Sequence, residues 1–331
     1  MLDDEAPRNG AGRNGAGRNG GVPLRVVVVH WNQVAACLDT VARFTDREVP
    51  VRVTVVDNGS EPAALAELRT GLAGLEHSDS VTLIEVGENA GFGPGANVGL
   101  RSFLDDPDDG TWVALSPHDV DPFPGTLAAM LDAAEGEPMA GLMCADVGDG
   151  MTPVIDPYFG GMVVEAAAPA PPDGTARWDE AAYPHGTLML LRRECIDEVG
   201  VFDERFFSYC EEADLALRAR RAGWRVGLIR GARVQNIHIG SGMAIVDYLQ
   251  TRNTLLLVQE MSGWYHAFIR ACITLIQTYR GVRRPETRAM IFDAPARLAG
   301  LRDFVLRRFG PPPASLMVPP SQFDHELHAR R

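Results

Sequence analysis

The sequence contains no lysine, all 31 of its basic residues being arginines. A P-loop, which needs Gly-Lys-Ser/Thr, is thereby excluded. The G-x-G-x-x-G of a dinucleotide fold is also missing, because His30-Trp31-Asn32 stands where it would follow the first strand-like run. Cysteine is scarce: Cys37, Cys144, Cys195, Cys210 and Cys272 are scattered, odd in number and without metal-ligand spacing. That usage fits a reduced, cytoplasmic protein. Basic charge is in deficit, 31 residues against 44 acidic and a net −13, which argues against a nucleic-acid partner. Long apolar runs are missing too. Val26 to Val29 is too short for a signal peptide, and Trp264 to Tyr279 is interrupted by His266 and Arg270 and too short to span a bilayer. This last stretch reads as an ordinary packing helix. The other uses for residues 261–331 are a peripheral membrane contact or a homo-oligomer contact.

What is present, 46% hydrophobic and 23% charged residues, is the composition of a globular enzyme. Residues 1–22 carry an Arg-Asn-Gly-Ala-Gly period and are expected to form a disordered tail. Beyond it, strand-like and helix-like runs alternate: strand Arg25–His30, helix Gln33–Phe44, strand Val51–Asp57, helix Pro62–Leu72, strand Val81–Val86, a glycine-rich loop, helix Ala96–Leu104 and strand Thr111–Leu115. Such alternation predicts an α/β fold with a mostly parallel sheet flanked by helices. Ligands in these sheets bind beyond the carboxyl ends of the strands. Asp57, the segment from Asn89 and the pair Asp119/Asp121 all fall at such ends.

Asp119-Val-Asp121 follows its strand directly. Carboxylates at i and i+2 of an extended segment share a side, which suits Mg²⁺ or Mn²⁺ carrying substrate phosphates. An acidic turn is the alternative. Asn89-Ala-Gly91-Phe-Gly93-Pro-Gly-Ala-Asn97-Val-Gly99 lets backbone approach a ligand, or simply makes a tight turn. From Gly136 to Ala182 short strands and a mobile loop near 166–174 are expected, then a strand over Gly186–Arg192. Ser208 to Ala222 is predicted to be a helix with Ser208 and Glu211 as a capping box and Gly223 at its end. Capping accounts for Glu211 and leaves Glu212, about 100° away around the helix, as the candidate for proton chemistry, with Asp214 as its orienting neighbour. Arg225–Ile229 and Ala232–Ile237 read as two strands, the second leading to His238, a candidate metal ligand. A helix over Ile245–Met261 carries Arg252, a cation offered to a phosphate.

In order along residues 24–260, several of these stretches together resemble the family 2 inverting glycosyltransferases of the GT-A fold, near their rhamnosyltransferase-like branch. They are Val26-Val-Val-Val-His-Trp31-Asn32, Val55-Val-Asp57-Asn-Gly-Ser60, Asn89-x-Gly-Phe-Gly-x-Gly-x-Asn97-x-Gly99, Asp119-Val-Asp121, Gly200-x-Phe-Asp-Glu-x-Phe-Phe-x-Tyr209-x-Glu-Glu-x-Asp214-Leu, His238 and Arg252-Asn253. The resemblance implies a transferase domain over 23–260, with a nucleotide-binding half to about 121 and an acceptor half after it, followed by a helical extension over 261–331. It also implies roles. Trp31, Asn32, Asp57, Asn89, Gly91, Gly93, Asn97, Asp119 and Arg252 would line the pocket of a dTDP- or UDP-sugar. Asp119 and Asp121, the latter favoured as direct ligand, would hold Mg²⁺ or Mn²⁺ with His238, and Glu212 would be the catalytic base. A deoxyhexose such as rhamnose from dTDP is the expected donor sugar. The acceptor hydroxyl would belong to a glycan, a lipid-linked glycan or a small natural product, the lack of a membrane span favouring a soluble one. A sugar-phosphate nucleotidyltransferase and a non-catalytic nucleotide-sugar-binding protein are the rival readings.

Overall fold

The computed structural model describes residues 19, 21–45, 49–156, 161–167, 175–237 and 243–317. The repetitive tail (but for residues 19, 21 and 22), most of the loop near 166–174, and His238 lie outside them. The chain begins with β1 (Leu24–His30), α1 (Val34–Thr45), β2 (Val51–Asp57), α2 (Pro62–Ala73), β3 (Val81–Glu85), α3 (Phe92–Asp105) and β4 (Trp112–Pro117). There follow β5 (Val120–Pro122), α4 (Thr126–Glu135), β6 (Ala140–Asp146), β7 (Met151–Ile155), β8 (Met162–Ala166), β9 (Arg177–Glu180), β10 (Met189–Arg192) and α5 (Arg193–Val199). Last come α6 (Glu211–Arg221), β11 (Arg225–Asn236), α7 (Met243–Ser262), α8 (Trp264–Arg283) and α9 (Ala294–Val305).

The main sheet has the order β3-β2-β1-β4-β10-β6-β11-β5, with β9 also paired to β11. β1, β2, β3 and β4 run parallel to one another, as do β6 and β11, while β10 lies antiparallel between β4 and β6. The sheet is thus mostly parallel, as expected. The run Val26–Val29 is apolar throughout because both faces are covered. Val27 and Val29 pack into a core with α3, α6 and α7, whereas Val26 and Val28 face α1 and α4.

Four local readings differ from the structure. α3 starts at Phe92, so most of the supposed glycine loop is helix. Its glycines serve close packing: a side chain at Gly99 would collide with Val27, and one at Gly95 would press on Asn58. α6 starts at Glu211 with Cys210 as its left-handed N-cap and no side-chain cap, so the Ser208/Glu211 capping box does not form. β11 is one strand of 12 residues, its register shifting between Ile229 and Arg233 around Gly231, where φ is +95°. That irregularity, a bulge centred on glycine, is what read as a break. The strand after Gly186 is limited to β10. The four cysteines other than Cys272 are buried, and burial pushes the Cys144 and Cys195 thiols up to about 12, which leaves them inert.

Candidate active site

Two clefts adjoin, the first of them at the carboxyl ends of the parallel strands. The first, about 200 Å³, is lined at β1 by His30 and Trp31, after β4 by His118 and Asp119, and at the start of α3 by Asn89, Gly91 and Phe92. Its far wall is Phe207, Ser208 and Tyr209, with Leu249 of α7 and the late segment at Leu316 and Met317. The second cleft, about 400 Å³ and more polar, is lined by Tyr183, Tyr209, Glu212, Arg270, Thr274 and Asp247, among others. Tyr209 belongs to both.

Strand ends set the first cleft. β1 and β2 pair in parallel with His30 opposite Asp57, and the His30 ring Nδ1–H donates to Asp57 Oδ1 at 2.9 Å. Ser60 N donates to Asp57 Oδ2 at 3.1 Å. Burial acts to raise the Asp57 carboxyl, but the hydrogen bonds from His30 and Ser60 outweigh it and leave the group below its ordinary range. Asp57 is therefore an orienting partner rather than a cleft residue. It fixes the tautomer of His30, a cleft-lining residue whose buried Nε2 has no hydrogen-bond partner among the described residues. Asn32 likewise serves the loop, its φ of +57° stabilised by Asn32 N donating to Ser60 Oγ (2.8 Å) and Glu61 N donating to its Oδ1 (2.7 Å). Asn58 ties the other wall, donating to Asn89 Oδ1 at 3.1 Å and to Gly91 O at 2.9 Å. Gly91 has φ +107°, and a side chain there would strike the Phe207 backbone, so both conformation and contact demand glycine.

Asp119 and Asp121 part company. Thr40 of α1 binds the turn between β4 and β5, its hydroxyl donating to His118 O at 2.9 Å and accepting from Val120 N at 3.1 Å. Asp119, 9% exposed, sits in the cleft wall, while Asp121 pairs with Arg43 at 2.9 Å and accepts from Gln235 at 3.3 Å. Among the described residues, Asp119 alone of the pair expected to face one point lines the first cleft, while Asp121 lies within the three-residue strand β5. No group of three His, Cys, Asp or Glu side chains gathers as a metal cage among the described residues. Asp119 does fit a cation that arrives with phosphates, since Mg²⁺ needs only one or two protein carboxylates when phosphate oxygens and water complete its shell.

Three further expected donor residues lie in the interior. Asn97 donates to Phe202 O and accepts from Phe202 N, both at 2.9 Å, pinning α3 to the segment before α6. Gly93 is buried beside Glu211 and Phe202. Arg252 is fully buried, donating to Asn253 Oδ1 at 3.0 Å and Phe206 O at 3.3 Å, so it is not available to a phosphate. Its neighbour Asn253 donates from one amide to Phe206 O (2.7 Å), Ser208 O (2.8 Å) and Tyr209 O (2.9 Å). These bonds hold a backbone in which Phe207, Tyr209 and Cys210 all have φ between +65° and +75°. Strain of this kind concentrates at functional sites.

That loop delivers Glu212. Burial raises its carboxyl to about 7, and burial together with the charge of Glu212 raises that of Glu211 well above its ordinary value. Oε2 of both lacks a hydrogen-bond partner among the described residues. Asp214 turns to Arg218 (2.8 Å), whose guanidinium in turn reaches the carbonyls of Val199 and Val201, so it anchors α6 rather than orienting Glu212. Gly186 stands against the base, with Glu212 Oε1 2.9 Å from where its Cβ would be. Gly186→Ala is expected to move this side-chain end without unfolding the chain, lowering kcat by up to about 100-fold with an unchanged thermal midpoint. Equal kcat would show that Glu212 is not held there for chemistry. His30, His118, Phe207 and Tyr209 line the clefts and were missed as site residues in the sequence. The strand-end position of His30 was the available signal for that residue.

No protein-family model matches the chain. It is similar to N-acetylglucosaminyl-diphospho-decaprenol L-rhamnosyltransferase from two strains of Mycobacterium tuberculosis, at 28% identity over 259 residues, 67% of this chain and 80% of the relative. Among solved structures it is similar to GalNAc-T7 with UDP, GalNAc and Mn²⁺ (TM-score 0.57, 15% identity, 85% of this chain and 54% of that one). It is also similar to the mannosyltransferase PcManGT from Pyrobaculum calidifontis with GDP-Man and Mn²⁺ (TM-score 0.55, 15% identity, 86% and 87%). A mostly parallel sheet shared with these structures, joined to kinship with a glycosyl-transferring enzyme, makes the chain a glycosyltransferase of the GT-A fold.

Proposed function

We propose that the protein transfers a deoxyhexose such as rhamnose from a dTDP donor to an acceptor hydroxyl, with inversion. One observation carries the reading: a carboxyl group raised to about 7, Glu212, lies in a polar cleft that shares Tyr209 with another cleft at the strand ends. The donor occupies the first cleft, its nucleoside end against His30, Trp31 and Asn89. The acceptor enters the second. Glu212 takes the proton of the acceptor hydroxyl, the freed oxygen bonds to the anomeric carbon, and the bond to the diphosphate breaks with its electron pair on the leaving nucleoside diphosphate. A single displacement inverts the anomeric centre. The mycobacterial relatives, by their name, support an L-rhamnosyl group and a diphospho-lipid acceptor, and so weigh against the soluble acceptor favoured by the sequence. Arg270, which lines the second cleft, suits an acceptor phosphate.

Asp119 is the residue that would hold Mg²⁺ or Mn²⁺. Such an ion, when bound, neutralises charge on the departing diphosphate. Calorimetric titration with dTDP, with and without Mn²⁺, tests this. Asp119→Asn is expected to remove the metal-dependent gain in affinity, and Asp121→Asn, whose parent carboxylate is engaged with Arg43, to retain it. The reverse outcome would hand the ligand role to Asp121. Metal-dependent transfer from dTDP-rhamnose to a diphospholipid-linked N-acetylglucosamine tests the reaction as a whole.

A further inference from the structure

α8 is inside out. Its inward side is polar, with Arg270, Thr274 and Gln277 lining the second cleft. On the opposite side, following from about 100° per residue, stand Tyr265, Phe268, Leu275, Ile276, Tyr279 and Val282, each between 48% and 73% exposed. A helix on a globular protein ordinarily turns its apolar stripe to the core, and the sequence reading of this stretch as a plain packing helix is overturned by that geometry. A contiguous exposed apolar face marks an interaction surface.

Charge says what covers it. In a chain of net −13, the stretch Trp264 to Arg308 holds nine arginines against three acidic residues. Arg280, Arg283 and Arg284 are exposed at the end of α8. The Arg283 guanidinium lies 5.3 Å from the Tyr279 ring, and Arg307 lies 5.8 Å from the ring of Trp264. Aromatic rings beside arginines, around an aliphatic stripe, match the headgroup boundary of a bilayer. A second copy would bring its own arginines against these. No helix among the described residues is long and apolar enough to cross a membrane. We infer that the outer face of α8 docks on an anionic phospholipid surface. The helix then has the bilayer on one side and the Glu212 cleft on the other, which lets a membrane-held acceptor present its head to that cleft. The docking surface stands on its own geometry, and only this last link rests on the proposed reaction.

Sedimentation of the full chain with vesicles tests the inference. The protein should pellet with phosphatidylcholine vesicles containing about one-third phosphatidylglycerol, and less with phosphatidylcholine alone or at high salt. Replacing the exposed pair, Phe268→Glu with Ile276→Glu, should cut the bound fraction at least about tenfold while the thermal midpoint and dTDP binding stay as in the parent. No pelleting of the parent, or equal pelleting of the variant, would overturn the proposal. So would a parent that ignores vesicles and sediments as a dimer which the variant dissociates. Vesicle binding is read without donor or turnover, so failure of the proposed reaction leaves this result intact and is detected separately.

Discussion

Glu212→Gln is expected to lower kcat by about 10²–10⁴-fold while donor affinity stays unchanged. The amide keeps the size and site of the carboxyl and loses only its basicity. A base must be ionised, so the parent rate should climb with pH through about 7 and level off above it, and the variant should lack that limb. Stability should move the opposite way. Burial raises the folded-state value above the ordinary 4.5, so the contribution of this carboxyl to stability is complete below about 4.5 and lost as pH rises through about 7. Glutamine carries no such loss, and the variant should unfold at a higher temperature than the parent at pH 8. A purely structural carboxylate would give a less stable variant with its pH profile unchanged, and that pattern would remove Glu212 from the chemistry.

Asn253→Leu is expected to destabilise the chain by about 2 kcal/mol, since the three carbonyls lose the two N–H donors they share, each worth about 1 kcal/mol. Leucine nearly preserves the volume, so a packing defect is not the cause. The released segment holds Phe207, Tyr209 and Cys210 in left-handed conformations that cost roughly 1–3 kcal/mol each. Without the clamp they should relax, weakening dTDP binding and acceptor binding together because the segment walls both clefts. Denaturant unfolding and the two binding constants read this out. A stable variant with both affinities intact would show that other contacts hold the loop.

The same pair shows what a sequence can and cannot disclose. Arg252-Asn253 was legible as important, but an arginine in a helix offers no sign of which way it faces, and tertiary packing buries it under the loop it supports. Asp57 was placed correctly at the end of β2, yet it acts through His30, a contact between strands that no spacing within either strand reveals. β1 could be read almost to the residue because a buried parallel strand is apolar without interruption, and β2 because the turn signal of Asp57 to Ser60 marks its end. α3 could not, because Gly93, Gly95 and Gly99 imitate a loop, the last two while serving close contacts with Asn58 and Val27. Glu212 emerged by elimination, for a capping reason that the structure does not support. Its position after three left-handed residues, rather than any cap, is what aims it.

Among the described residues Tyr209 is the one common to both clefts, and it rides on a strained backbone. With donor and acceptor in their proposed places, neither can shift this ring without the other registering it. Whatever factor a bound nucleotide sugar adds to acceptor affinity, the acceptor must return to the nucleotide sugar, because coupling between two binding equilibria is reciprocal. A single ring thus makes the two substrates thermodynamic partners before any bond between them forms.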